Sequence, residues 1–378
     1  MKNKKSNKGI TLIALVITII VLLILAGISI QTLTSSGLFQ KTKETKETKE
    51  AKNASENASD EYYKPSTKSE VKLVADNVNK ILSTTDNTEL KDEYGNKITV
   101  PAGFKIKVDS STNNATTVNQ GIVIVDSNEN EFVWIPVGKI YTDVAKTDAN
   151  AKTIELNRYT FDESGNPTPQ NESVIETYYQ ELETSDKGNT VAKSIPNFKT
   201  SVATNEGYYI GRYEARTTTA RTNKSDSITP ITEKGTDQIY NYVTQIQAAQ
   251  LAQNMYNSNK FTSDLINSYA WDTATLFLQT CGTDVTYSRK KSVNTTSVSQ
   301  MGTNTQETKD VQCNVYDMAG NVCEWTTETS SNLYNPCVTS GGDYFYSNTC
   351  TSFRFYGSTS GYSGGTGFRP LLFVGLNS

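Results

Sequence analysis

The chain contains no histidine. That absence removes Ser-His-Asp and Cys-His nucleophilic catalysis, imidazole acid–base work and histidine-ligated zinc together. Cysteine is sparse: Cys281, Cys313, Cys323, Cys337 and Cys350, with no Cys-x-x-Cys pair among them. Zinc sites and thioredoxin-like motifs are not built that way. The odd count leaves at least one thiol outside any intramolecular disulfide. An excess of positive charge is missing too, because the net charge is −4, and this argues against general electrostatic affinity for nucleic acid. From Gly341 to the C-terminus there is no Lys, Glu, Gln, Met, Trp, Ile or Ala. Most of what stands there is Gly, Ser, Thr, Tyr, Phe, Asn and Asp. Low-complexity polar composition commonly means disorder. This stretch is rich in Tyr and Phe, however, and closes on Leu371-Leu372-Phe373-Val374, an apolar run that reads as a strand. On a rigid scaffold, Tyr supplies large amphipathic contact area at low entropy cost, and Ser, Gly and Asn adapt their hydrogen bonds. The stretch is therefore the candidate binding surface.

Long apolar runs are confined to one place. Ile10 to Ile30 carries no charge, and Lys2, Lys4, Lys5 and Lys8 precede it. Roughly 20 apolar residues cross a bilayer as a helix, and the lysines hold the N-terminus in the cytoplasm. The rival reading is a secretory signal peptide, whose apolar region is normally shorter. A third reading rests on Lys8-Gly9 followed by Ile10-Thr11-Leu12-Ile13-Ala14-Leu15, which resembles the type IV prepilin signal. The resemblance implies cleavage between Gly9 and Ile10, with the helix kept on the mature protein. The family carries Glu where this chain has Ala14, a departure that favours a simple membrane anchor over packing into a pilus with other pilin-like subunits. The expected localisation is single-pass in the cell membrane, the C-terminal domain extracellular on a Gram-positive-type cell surface.

Behind the leader (1–9) and the span (10–30) comes a polar stalk, 31–89, with a Thr-Lys-Glu repeat at Lys41 to Glu50. Opposite charges at i, i+3 and i+4 support a solvated helix there, and the plain reading is a spacer. Val71, Val74, Ala75, Val78, Ile81 and Leu82 recur at helical spacing and predict an amphipathic helix over 71–82. The head spans 90–378. Gly121 to Val125 and Glu131 to Val137 flank the turn Asp126-Ser127-Asn128-Glu129-Asn130 and read as a hairpin. Gly207 to Glu214 reads as a strand, Gln245 to Tyr256 and Ser268 to Leu278 as helices, and Lys139 to Glu206 as loops with short elements. Strands, two helices, and a loop-rich segment closing on a strand predict an α+β head.

Three separated motifs point to a family: Phe132-Val133-Trp134-Ile135-Pro136, Tyr209-Ile210-Gly211-Arg212-Tyr213-Glu214, and Asn314 to Trp325, completed by Gly341-Gly342 and Gly367-Phe368-Arg369. Together they resemble the formylglycine-generating-enzyme (sulfatase-modifying factor) domain, which implies a C-type lectin-like fold for residues 90 to 378. Cys323 departs from the family's Trp. The catalytic members hold copper through a pair of cysteines in the final loop, and thiolates suit Cu(I). Here Cys350 is alone, with Phe345 and Phe355 at the family's spacing, so no copper and no catalysis are expected. A second resemblance covers the final segment. Variable proteins of diversity-generating retroelements share this fold and end in a hypervariable stretch in which template adenines are randomised. Asn codons then yield Tyr, Ser, Thr, Asp, Gly, Cys, Phe or Arg, the set found from Asp343 to Ser363.

That resemblance implies a variable region over 341–369. Its ligand-binding side chains would be Asp343, Tyr344, Tyr346, Ser347, Asn348, Thr349, Tyr356, Ser358, Ser360 and Tyr362. Period-two alternation puts Tyr344 and Tyr346 on one strand face, while Phe353 and Arg354 read as framework. The formylglycine-type resemblance further implies a structural Ca²⁺ held by Asp317, Gly320, Val322 and Glu324, since hard oxygen ligands from a tight turn suit that ion. The alternative is a structural turn in which Asp317 and Glu324 cap backbone amides or pair with Arg. The leading function is non-catalytic binding of a variable protein or glycan ligand on another cell, a phage or a host surface. A minor pilin subunit and a degenerate formylglycine-generating-type oxidase are the alternatives.

Overall fold

The structure is a computed structural model that describes residues 72–375 except 74, 110–112, 171–194, 293–309 and 347. The leader 1–9 with its Gly9–Ile10 junction, the apolar segment 10–30 and the stalk up to residue 71 lie outside the described residues. No helix among those described is long and apolar enough to cross a membrane. The longest of them has 14 residues, about 21 Å at the helical rise, against the ~30 Å of a hydrocarbon core. This corrects the expected localisation: the single-pass membrane anchor finds no support in the structure.

Described residues form a mixed, sheet-rich α+β unit with few helices. The larger sheet has six strands: β1 (Lys105–Lys107), β2 (Val123–Val125), β3 (Glu131–Pro136), β4 (Gly207–Gly211), β5 (Phe261–Leu265) and β10 (Pro370–Val374). Their spatial order is β5-β10-β4-β3-β2-β1, antiparallel throughout. Every residue of β3, β4 and β10 is buried, so both faces of these strands are covered. Alternation assigns the faces. Tyr208 points to the helical side, where its ring meets Phe198 of α1 (Ile195–Asn205) at 5.2 Å. Its hydroxyl donates to the Ala270 carbonyl of α3 (Ser268–Cys281) at 2.7 Å. Tyr209 points the other way, stacks edge-on against Trp134 and donates to the Thr99 carbonyl at 2.9 Å. Thr99 belongs to the hairpin Thr88–Lys91 and Lys97–Val100, which thus covers that side.

The smaller sheet holds β6 (Cys323–Thr329), β7 (Cys337–Ser340), β8 (Arg354–Gly357) and β9 (Thr366–Phe368) in the order β8-β7-β6-β9. Helix α2 (Gln245–Met255) begins at Thr244, whose side chain caps Gln247. It packs against β5 and β6. Only Arg369 separates β9 from β10, so the chain steps from the small sheet into the large one across a single residue.

Arg369 is fully buried and joins the two sheets. Its Nε and Nη2 donate to the Glu324 carboxylate of β6 at 3.1 and 2.6 Å. Nη1 donates to the Gly211 carbonyl of β4 at 2.9 Å, and Nη2 to the Tyr316 carbonyl at 2.8 Å. Three fully buried carboxylates, Glu214, Glu233 and Glu324, share this interior with two fully buried guanidiniums, Arg216 and Arg369. Burial raises Glu214 and Glu233 well above the carboxylate range. It also raises Glu324, to about 7, against the pull of Arg369.

Two expectations from local patterning are corrected. No helix forms within the described part of 71–82: residues 75–77 make a turn, and Val78 bridges Ile106 of β1. Asn79 adopts φ +56° and bonds the Val108 backbone in both directions, donating at 2.8 Å and accepting at 3.1 Å. A side chain that satisfies an edge-strand backbone this way competes with the helix. Within the described part of 139–206 the expected short elements are two hairpins (138–140 with 152–154, 158–161 with 167–170), and the 11-residue helix α1 was not expected.

Replacing Arg369 by Met leaves Glu324 buried without its partner and is expected to cost about 3–5 kcal/mol. Adding Glu324→Leu recovers most of that loss; urea unfolding of the full chain measures both, and a single-variant cost below ~1 kcal/mol refutes the role. A second expectation concerns pH. A carboxyl whose pKa is higher in the folded state holds a proton that the unfolded chain releases. Its stabilising contribution is complete below the ordinary glutamate value of 4.5 and is lost as pH rises through about 7. The melting temperature is therefore expected to fall across that window, and Glu233→Gln to flatten the fall. A steady rise across the same window contradicts this.

Candidate functional site

The C-terminal segment is built on the turn that precedes β6. The Glu214 carboxylate accepts from Asn321 Nδ2 at 2.6 Å and from the Val322 backbone N–H at 3.1 Å. This fixes Asn321 at φ +68°, and its carbonyl accepts from the Tyr344 N–H at 2.9 Å. Gly341, at φ +84°, passes so close that a Cβ there would stand 2.7 Å from the Met318 carbonyl. A Cβ at Gly342 would stand 2.5 Å from the Ala319 carbonyl. The buried charges thus hold the turn, and the turn holds the start of the loop.

Past the glycines the strand ends. Asp343 Oδ1 accepts from the backbone N–H groups of Phe345 and Tyr346 at 2.9 and 2.8 Å. This local Asx turn bends the chain, so Tyr344 and Tyr346 do not share a strand face as expected. Burial raises the Asp343 carboxyl above its ordinary value, and these two N–H donors oppose that rise. Farther on, Trp271 Nε1 donates to the Thr351 carbonyl at 3.0 Å, and the Thr351 hydroxyl to the Tyr287 carbonyl at 2.8 Å. Arg354 then anchors β8. Its Nε donates to Glu328 at 2.7 Å and its Nη2 to both oxygens of Asp272 at 2.9 and 2.8 Å. Glu328 is held from its other side by Arg158 at 2.7 Å.

Arg354 is tied inward and Tyr356 is exposed, while Phe353 and Phe355 flank Arg354, the first exposed and the second half-buried. Their rings lie 4.6 Å apart and continue through Tyr346, Phe345 and Tyr344 at centroid spacings of 6.1, 5.2 and 6.4 Å. Phe345 is 64% exposed, Tyr356 58% and Tyr346 53%. A groove of about 230 Å³ opens beside this strip, lined by Asp343, Tyr346, Phe355, Tyr356 and Tyr362 over Trp325. Gly357 keeps it open, since a Cβ there would stand 2.8 Å from Trp325 Cη2.

Of the ligand-binding residues named from sequence, Asp343, Tyr346, Tyr356 and Tyr362 line the groove. Tyr344 is half-buried beside it, Asn348 and Ser360 are exposed, and Ser358 is half-buried with its hydroxyl 3.4 Å from that of Ser360. Ser347 lies outside the described residues. Thr349 is buried, and its hydroxyl donates to the Tyr346 carbonyl at 2.8 Å, so it braces the loop rather than facing outward. Phe353 is exposed at 39% and is not framework. Phe345, Phe355 and Trp325 belong to the site and were not singled out. Their place on either side of a charged Arg354 was the signal available for the Phe353–Phe355 pair.

The calcium ligands implied by the turn do not fit. Both Glu324 oxygens accept from Arg369. Of the other acids at the turn, Glu214 accepts from Asn321 and Val322, and Asp310 from the Ala319 N–H and the Tyr287 hydroxyl at 2.8 Å each. Calcium takes roughly six to eight oxygens, and among the described residues no group of three acids, cysteines or histidines could hold a metal. The five cysteines are all free thiols.

No family model and no curated protein matches the chain. Among solved structures it is similar to CarF, at 17% identity over 30% of this chain and 47% of that one, with a TM-score of 0.23. The chain thus spans about half the length of CarF. It is similar to variable protein 1 of Treponema denticola, at 11% identity over 71% and 98% of the two chains, with a TM-score of 0.35. It is also similar to the U1 variant of the Major Tropism Determinant, at 10% identity over 77% and 87%, with a TM-score of 0.30.

Gly357→Ala is expected to destabilise the full chain by about 1–3 kcal/mol through overpacking against Trp325. Tyr346→Ser and Tyr356→Ser, at exposed positions, are expected to stay within ~0.5 kcal/mol of the parent. Urea unfolding of the three variants side by side checks the contrast; equal losses in all three would mean that the tyrosines are structural.

Proposed function

We propose that this chain is a non-catalytic ligand-binding protein whose residues 341–369 form a diversified binding surface on a C-type lectin-like head. One observation carries the reading: the segment has a buried, braced frame and an exposed set, with half-buried residues between them. Gly341, Gly342, Thr351, Gly367, Phe368 and Arg369 are buried, and Arg354 is tied down by two carboxylates. Facing outward are Phe345, Tyr346, Asn348, Phe353, Tyr356, Ser360 and Tyr362, all within the residue set that randomised adenines produce from Asn codons. Side chains that face outward from an independently braced backbone can change without unfolding it. The aromatic strip and its groove supply the anchors a binding surface needs, large rings that bury much area at few rotatable bonds. Cys350 standing alone in the final loop supports binding over oxidase chemistry.

The test is deep sequencing of the coding region for 341–369 across a population of the source organism, with its flanking DNA. Substitutions confined to outward positions, falling at adenines against a nearby template copy, with Gly367-Phe368-Arg369 constant, are the expected result. A segment as constant as the rest of the gene overturns the diversification and leaves a fixed-specificity binder.

A further inference from the structure

The groove beside the aromatic strip has a chemistry of its own. Asp343 is the single charged side chain among its lining residues. The guanidiniums of this segment are committed elsewhere, Arg354 to Asp272 and Glu328, and Arg369 to Glu324. Among the described residues no cation forms an ion pair with Asp343, and none shifts its carboxyl. Oδ1 is engaged by the two turn N–H groups, whereas Oδ2 makes no hydrogen bond among the described residues and lies against Gly365, 3.2 Å from where a Cβ would stand. Only 7% of Asp343 is exposed to water, so its charge is poorly solvated and gains most from a partner of opposite sign. Tyr346, Tyr356 and Tyr362 ring the same space, and the faces of such rings attract cations. The rim already attracts one: Lys224 Nζ stands 4.7 Å from the centroid of the Tyr362 ring.

Size and surroundings narrow the occupant. At about 230 Å³ the groove is below the roughly 300–1,000 Å³ of pockets for whole small molecules. It suits one long side chain. Around it lie exposed Phe345 and Phe353, the kind of apolar area that flanks an anchor at a protein interface. Because Cys337 pairs with Gly357, the hairpin tip with exposed Leu333 and Tyr334 extends from the same end of the sheet. A sugar hydroxyl could donate to Oδ2 but brings no charge to balance it, so a cationic side chain gains more there.

We propose that the groove accepts the cationic side chain of an arginine or lysine on a protein partner, its charge on Asp343 Oδ2 and its stem between Tyr346, Tyr356 and Tyr362. This inference rests on the binding reading above and adds the chemistry of the ligand. Because Asp343 lies inside the diversified segment, the preference belongs to this chain, and siblings with an uncharged residue at 343 lack it.

The experiment selects binders to the full chain from a random peptide library, then resynthesises the best peptides with arginine replaced by citrulline and lysine by acetyl-lysine. The expected result is enrichment of one basic position and a loss of at least about tenfold in affinity on removing its charge, the scale of a hydrogen bond to a charged group. Asp343→Asn keeps the Oδ1 acceptor for the turn, so the melting temperature is expected to hold while the same tenfold is lost. Tyr356→Ser tests the cage without touching the turn. Selected peptides without a basic anchor, or affinities that Asp343→Asn leaves unchanged, overturn the cation site while the diversified surface survives. A glycan array that binds the full chain and loses binding in Tyr356→Ser, where the library yields no peptide, also overturns it. Failure of the sequencing test above removes the diversification and leaves the cation site to stand or fall on these affinities.

Discussion

The contact between Arg369 and Glu324 sets the geometry on which the rest depends. A guanidinium offers its donors in a rigid planar fork. Here that fork grips a carboxylate on the small sheet and carbonyls at Gly211 of the large sheet and at Tyr316. Arg369 is also the only residue between β9 and β10, so a slip in register on either side would pull the fork off its partners. Desolvating such a pair is costly, and a buried ion pair seldom raises net stability above that of a well-packed apolar substitute. Its effect here is positional: the two sheets have one relative setting in which the buried donors are satisfied.

The surplus of acid around that pair has a structural outlet. Glu214 directs both oxygens at the Asn321–Val322 turn, and the turn carries the opening of the C-terminal loop through Asn321 and Tyr344. At the far end of the loop a second buried network, Arg158–Glu328–Arg354–Asp272, fastens β8 to β6 and α3. Between these anchor points the backbone is held by Asp343, Ser292 and Thr349 through main-chain and short polar contacts. The exposed rings contribute little to any of this. Support and presentation are therefore carried by different side chains.

Much of the frame was legible because its signals are local. The hairpin at Asp126 to Asn130 shows turn residues between apolar runs, and Tyr209-Ile210-Gly211 and Leu371-Leu372-Phe373-Val374 read as buried strands because both of their faces are covered. Helices α2 and α3 fall where Gln245 to Tyr256 and Ser268 to Leu278 read as helices, and in the structure Thr244 and Asn267 cap their first turns. Elements whose local signal is thin or misleading were not legible. Helix α1 has few apolar anchors beyond Phe198 and Val202, and it is stabilised by Phe373 and the Val374 carbonyl, which Ser201 bonds. Over 71–82 the apolar spacing is helical, but Asn79 finds a better use for its side chain on the edge strand. At the turn before β6, Asp317 and Glu324 resemble ligands for a hard cation, yet Glu324 is matched by an arginine far along the chain.

By itself the sequence determined what chemistry is available: no imidazole, scattered thiols, and a final segment of rings and small polar groups closing on a buried strand. The tertiary structure decided which of those groups face outward. Arg354 turns inward because Asp272, 82 residues away, and Glu328 meet it there, while Phe353 beside it stays exposed. Thr349 turns inward toward Ser292, 57 residues away. Asp343 commits one oxygen to the N–H groups of Phe345 and Tyr346, and among the described residues no cation pairs with the other. Local pattern sets the character of each side chain, but its direction depends on pairings across the fold, and no short window of sequence contains both members.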